Sequence, residues 1–274
     1  LTRIQSVSSK WTKTKILLKH GNIRRYVPET RLFTRHRLKE MLGKYSVVYV
    51  KPTHGTAGQG VMRVSRTVSG RRTVYRYQLG FREKSGRNTD ELYRSISRLT
   101  GKRSYIVQKG IPLLRYKQRP FDIRVMVQRV GNDLWVPTGY IGRIAHPRKI
   151  VTNFHSGGRP MKLEKLLSPY VKGGEREALI DGLNALGVGI ARQLQSRFHG
   201  LREIGVDIGL DEQLKPWILE VNTRPDFHIF NQLRDKSMYR RILRIARRHG
   251  RLKDRAARSR RGRRARIRRI NRPA

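Results

Sequence analysis

The sequence has no cysteine in 274 residues. Disulfides, thiolate zinc sites and a cysteine nucleophile are therefore excluded, and a reducing, cytoplasmic setting is the expectation. Long apolar runs are missing too. No stretch approaches the roughly 20 apolar residues of a membrane helix, and Leu1 to Leu18 has no signal-type apolar segment. Acids are scarce: 19 Asp+Glu stand against 63 Lys+Arg, a formal charge of +44. That imbalance predicts attraction to polyanions or phosphate-bearing ligands and says nothing about catalysis. Hydrophobic residues still make up 37%, too many for a wholly disordered chain, and the length suffices for two lobes with real cores. The chain opens on Leu1 rather than Met, which leaves room for an upstream segment.

Periodicity divides the chain. Lys10 to His20 reads as a short helix, and Pro28-Glu29-Thr30 leads into a second, about Arg35 to Leu42, ended by Gly43. Ser46 to Val50, Val61 to Val64, Thr73 to Gln78, Tyr105 to Gln108 and Phe121 to Val130 read as strands. Leu134 to Tyr140 is expected to pair with the last of these across Gly131-Asn132-Asp133. Leu92 to Leu99 and the longer Ala178 to Phe198 read as helices, Gly187 and Gly189 of the latter allowing close packing. Ile204 to Leu210 and Trp217 to Val221 suggest a hairpin. From Arg240 arginines crowd the chain, with Ile242, Ile245, Leu252 and Ala256 loosely on one face: a basic helix fraying into a disordered arm.

Two features carry chemistry. Lys51-Pro52-Thr53-His54-Gly55-Thr56-Ala57-Gly58-Gln59-Gly60 lies between two strands. Its glycines permit close backbone approach, free N–H groups in such a loop form an anion-binding concavity, and Lys51 adds a point charge. No Gly-Lys-Ser/Thr ends it, so it is not a Walker loop; the bland alternative is a turning hairpin. The second feature is a set of oxygen donors on the later hairpin. Alternation puts Glu220 and Asn222 on one face, and Asp207 sits opposite them if the hairpin pairs in register. Two carboxylates and an amide suit Mg²⁺ held together with phosphates. A carboxylate protruding from the apolar run Ile218-Leu219-Val221 needs a partner.

In this order, and together with Phe121-Asp122-Ile123-Arg124, Thr152-Asn153 and Gly157-Gly158, these motifs resemble the ATP-grasp superfamily over about Ser9 to Leu233. The resemblance is greatest to YheC/YheD-type proteins, described as endospore coat-associated, with RimK-like and D-alanine–D-alanine-ligase-like enzymes more distant. It implies an α/β (α+β) two-lobe fold clamping ATP, with lobes at 1–107 and 108–235 and a basic helical or disordered tail at 236–274. The implied activity is an ATP-dependent carboxylate-amine ligase working through an acylphosphate. Carried over, Lys10 and Lys51 would meet the nucleotide, Lys51 at the α/β-phosphates. Gly55, Thr56, Gly58 and Gly60 would cover the β/γ-phosphates, and Gln108, Lys109 and Ile111 would form the adenine hinge. Arg124 would contact the γ-phosphate, while Asn153 and the Gly157-Gly158 turn, with Arg143, would border the acceptor pocket. Asp207, Glu220 and Asn222 would hold one or two Mg²⁺ ions, Mn²⁺ being an alternative. Lys109 stands where many relatives carry an acid, and Gly205 where D-alanine-type ligases have an arginine.

Other residues have plainer readings. His54 is expected to be solvated, His146 to sit in a turn, and His155 to be either solvated or near the acceptor. Trp11, Trp135 and Trp217 read as core, and Lys13 and Lys15 as a solvated helix face. Asp122 is expected to orient Arg124, its neighbour along one strand face. The arginine tail predicts a polyanion or nucleic acid partner with salt-sensitive affinity. A second function class therefore stays open: a non-catalytic ATP-grasp scaffold that joins a spore coat or polyanion through that tail.

Overall fold

A computed structural model describes residues 4–56, 58–131, 133–146 and 158–252. In chain order the elements are helix α1 (Lys10–Leu18), β1 (Thr30–Leu32), α2 (Arg35–Lys44), β2 (Val47–Pro52), β3 (Met62–Ser69), β4 (Arg72–Leu79) and β5 (Arg82–Gly86). There follow α3 (Thr89–Thr100), β6 (Tyr105–Lys109), β7 (Arg115–Tyr116), β8 (Arg119–Val130), β9 (Leu134–Ile144), β10 (Arg159–Met161) and α4 (Leu163–Leu167). The last are α5 (Gly173–Gln195), β11 (Glu203–Leu210), β12 (Pro216–Asn222), a 3₁₀ turn at His228–Gln232, and α6 (Ser237–Arg248).

Side-chain caps set the helix starts. Ser9, Thr34 and Asn88 accept from the free amides of Thr12, Arg37 and Glu91 at 3.2, 3.2 and 2.9 Å. The second helix does not stop at Gly43. It runs to Lys44 and passes through an extended Tyr45 into β2, so no left-handed glycine cap is needed. Thr30 to Leu32 is a strand rather than a lead into that helix, because it pairs with β6. The polar strand β5, Arg-Glu-Lys-Ser-Gly, has no hydrophobic alternation to announce it.

Two antiparallel sheets result. The first runs β1-β6-β2-β3-β4-β5, with α2 and α3 on one face. Leu38, Met41, Val48, Val50, Met62, Val64, Leu92, Ile96 and Val107 fill that interface. The second runs β10-β9-β8-β11-β12, with β7 on the edge of β8. The chain crosses between the sheets after Lys109, the end of β6.

Helices cover both faces of the second sheet, so its middle strand β8 is buried almost throughout. α5 and the N-terminal α1 pack on Val125, Val127, Ile204 and Val206. α6 and the 3₁₀ turn cover Met126 and Ile141 with Phe230, Ile242 and Ala246. The basic helix is thus amphipathic and docked, with Leu252 against the same cluster. Ala256 and the rest of the arginine tail lie outside the described residues. Gly187 allows the close packing expected, since a Cβ there would lie 3.0 Å from Val127. Gly189 does not need its missing side chain, its nearest neighbour being 3.8 Å away. No helix among the described residues is long and apolar enough to cross a membrane.

Candidate functional site

A cleft enclosing about 770 Å³, part of it open to solvent, separates the two sheets. Its walls bring together most of the residues singled out from sequence: Lys10, Lys51, Gly55, Thr56, Gly58, Gln108, Lys109, Ile111, Asp207 and Glu220. Tyr49, Gln59, Val61, Leu113 and Leu219 also line it and had no sequence signal beyond their neighbours.

Strand alternation explains the β2 wall. Val48, Val50 and Pro52 are buried toward the helices, whereas Tyr49 and Lys51 face the cleft half-buried. Tyr49 pairs in register with Gln108 of β6, and Lys51 Nζ donates to Gln108 Oε1 at 2.6 Å. Burial pulls the Lys51 ammonium down to about 8; Glu220 opposes that shift and Lys10 adds to it. The loop after β2 turns through Gly55, Gly58 and Gly60, all with positive φ. Gly60 lies off the cleft wall, where a Cβ would stand 3.0 Å from the Tyr105 hydroxyl. His54 is exposed and pairs with the Thr53 hydroxyl at 3.1 Å.

Lys10 ties the loop to the opposite lobe. Its Nζ donates to the Gly55 carbonyl at 2.8 Å and lies 3.3 Å from Glu220 Oε1. One helical turn on, Lys13 is not the solvated residue expected. It is buried, donates to the Val7 carbonyl at 3.0 Å, and is lowered to about 8 by that burial. Lys109 turns its ammonium over the Trp217 and Tyr45 rings, at 4.9 and 5.2 Å. Trp217 is therefore half-buried as a cation platform, and of the three tryptophans only Trp135 is fully core.

The hairpin pairs in register, with Asp207 opposite Glu220 and Gly205 opposite Asn222. On its other side β11 places Asp207 opposite Arg124 of β8. Both Arg124 nitrogens Nε and Nη2 donate to the Asp207 carboxylate, and Arg143 Nη2 lies 3.0 Å from Oδ1. Burial raises the Asp207 carboxyl, but the Arg124 and Arg143 charges outweigh it and hold it below the usual carboxylate range. Asp122, expected to orient Arg124, instead clamps Arg143, its cross-strand neighbour, with Nε to Oδ1 at 2.8 Å. The reason is register: Asp207 lies directly across from Arg124 on β11, and Arg143 directly across from Asp122 on β9.

Gly205 belongs to the same arrangement. A Cβ there would lie 2.7 Å from Pro225 and 3.1 Å from Arg124 Cδ. The space an arginine would need at 205 is filled by the Arg124 side chain, arriving from β8. Arg124 and Arg143 are both buried, and among the described residues both are engaged by Asp207 rather than set along the cleft lining. Asn153, His155 and Gly157 lie outside the described residues. His146 lies two residues beyond the end of β9 and stacks edge-on against Phe81 at 6.4 Å.

Do these donors fit a magnesium ion? Glu220 faces the cleft, and the Asn222 amide donates its nitrogen to Asp207 at 3.4 Å, leaving its oxygen uncommitted. Asp207 already accepts from two guanidiniums. Among the described residues no cluster of three or more acidic or histidine side chains could hold a metal unaided. The set fits Mg²⁺ in its usual form, an ion that brings phosphate oxygens and waters as most of its shell.

A sequence model described as YheC/D-like ATP-grasp matches residues 4–249. The chain belongs to the YheC/D-like ATP-grasp family. Among curated relatives it is 26% identical over 226 residues to the endospore coat-associated protein YheD of Bacillus subtilis, covering 81% of this chain and 49% of that protein. It is 22% identical to YheC of the same organism, covering 81% and 61%. The chain thus spans about half to three-fifths of the relatives it matches. Two solved structures share the ATP-grasp fold. D-cycloserine synthetase DcsG has TM-score 0.54 at 14% identity, over 88% of this chain and 70% of that one. D-alanyl-alanine synthetase A of Vibrio cholerae has TM-score 0.50 at 11% identity, over 86% and 60%. The mixed α/β architecture with two antiparallel sheets is therefore an ATP-grasp fold.

Proposed function

We propose that this chain binds MgATP between its two sheets and uses it to join a carboxylate to an amine through an acylphosphate. The observation that carries the reading is the convergence of Lys10, Lys51, the glycine loop and Glu220 on one cleft. Lys10 and Lys51 neutralise phosphate oxygens, and the loop amides of Gly55, Thr56, Gly58 and Gln59 cover them. The backbone at 108–111 meets the base, against the apolar side chains of Ile111, Leu113 and Leu219. Glu220 and Asn222 would hold the magnesium, which would supply charge neutralisation at the phosphates. Arg124 and Arg143 act by fixing the Asp207 carboxylate, which would be the third donor to the ion. No side-chain nucleophile is required, in keeping with a chain that has no cysteine.

The acceptor carboxylate is phosphorylated in place and the amine then displaces phosphate, so the cleft's main tasks are positioning and charge neutralisation. ADP and phosphate release across a panel of amino acids and dipeptides tests this. Stimulated release with a particular pair supports the ligase. MgATP binding with no stimulated release by any pair points to the scaffold reading, which one observation favours: both Asp207 oxygens are already engaged by arginine. The names of the curated relatives, YheD and YheC, make spore-coat association the natural place to look for either activity.

A further inference from the structure

We infer that the groove between strand β5 and helix α3 is a binding surface for the phosphodiester backbone of a nucleic acid. Most of the charge that suggests such a partner lies ahead of the last 22 residues. Residues 253–274 hold 11 Lys+Arg against one Asp, so the preceding 252 residues keep +34 of the +44. Within that body the excess is concentrated: residues 60–103 contain 12 Lys+Arg and three acids.

All three acids are already neutralised. Asp90 pairs with Arg35 at 2.5 Å, Glu83 with Arg76 at 3.7 Å and Glu91 with Arg87 at 3.8 Å. One groove, enclosing about 540 Å³, is lined by Lys84, Arg94 and Arg98 with Ser85, Ser95 and Glu91. A second, lined by Arg72 and Arg87, shares Ser85 and Glu91 with it, so the two form one trough along the sheet edge. Lys84, Arg94 and Arg98 are exposed and make no hydrogen bond or ion pair with the described residues.

Charge on an edge strand often serves only to stop copies from pairing. That would account for Arg82 and Lys84 on β5. It does not account for Arg94 and Arg98, one turn apart on the helix and facing the same trough. The forked guanidiniums and serine hydroxyls offer hydrogen-bond donors to phosphate oxygens. A duplex presents about one charge per 1.7 Å, dense enough to engage cations spread over two strands and a helix. A carboxylate chain spaces like groups about twice as far apart. No aromatic ring lines the trough, so backbone binding without base readout is expected.

The test is fluorescence anisotropy of a labelled duplex with the full chain, titrated with salt. The combined variant Lys84→Gln/Arg94→Gln/Arg98→Gln should lower the slope of log affinity against log salt by about 2.7, three contacts at about 0.9 each. Thermal melts check that the variant folds. An equal-charge control on the other lobe, Lys165→Gln/Arg192→Gln/Arg197→Gln, should leave the slope nearly unchanged. An unaltered slope in the groove variant overturns the proposal, as does an equal loss in the control, which would mean that only net charge matters. Tighter binding of polyglutamate than of duplex, lost in the groove variant, would assign the trough to acidic polypeptides instead and overturn the nucleic acid reading.

Discussion

Replacing Lys51 by methionine removes the cation at the end of β2, and the way nucleotide affinity then varies with pH follows from its titration. Burial lowers the free Lys51 ammonium to about 8. A bound polyphosphate would return it toward the ordinary lysine value, because an adjacent anion favours the charged form. The sign is fixed by which form binds. Below pH 8 the group is already charged and affinity is flat. Above it each binding event must take up a proton, so affinity falls as pH rises. Between about pH 7 and pH 9.5 the loss approaches thirtyfold, roughly 2 kcal/mol. Calorimetry of ATP binding in buffers of different ionisation enthalpy reads both the affinity and the proton uptake, about 0.7 per nucleotide near pH 8.5. Lys51→Met should bind weakly and lose the steep limb. A flat profile in the parent chain, or an unchanged limb in the variant, would refute the assignment of Lys51 to the phosphates.

Lys13 gives a stability counterpart. Its folded value of about 8 lies below the ordinary 10.5, so the unfolded chain binds more protons between those values and stability rises with pH through that window. In urea melts, Lys13→Met should remove its share of the rise and stabilise the protein at neutral pH by about 2 kcal/mol, once the lost bond to Val7 is discounted. Asp122→Ala leaves Arg143 buried with Asp207 alone and should cost about 3–5 kcal/mol in the same assay. Gly110→Ala would put a Cβ 2.8 Å from the Val47 carbonyl; this backbone clash at the end of the β2–β6 pairing should cost about 1–3 kcal/mol, and a neutral result would mean that the segment after β6 gives way easily.

The cleft was more legible in the sequence than the supports behind it. Lys51 and the glycine loop could be placed locally, because an apolar strand ending in a lysine before three glycines marks its own boundary with the loop. The donors Asp207 and Glu220 were readable because one hairpin fixes their register. The Arg124–Asp207 and Arg143–Asp122 pairs were not. They depend on which distant strands become neighbours, and alternation along β8 alone made Asp122 look like the partner of Arg124. Lys13 was misread for a related reason: its helix is short, and what buries it comes from the start of the chain and from β12. The strands β1 and β5 escaped because short or polar edge strands carry no hydrophobic alternation.

The direct test of the MgATP site is calorimetric titration of ATP with and without Mg²⁺, in the parent chain and in Glu220→Gln. The account predicts that Mg²⁺ strengthens binding to the parent, and that the variant loses this gain while keeping the weaker metal-free binding through Lys10 and Lys51. An equal gain from Mg²⁺ in both proteins would contradict it.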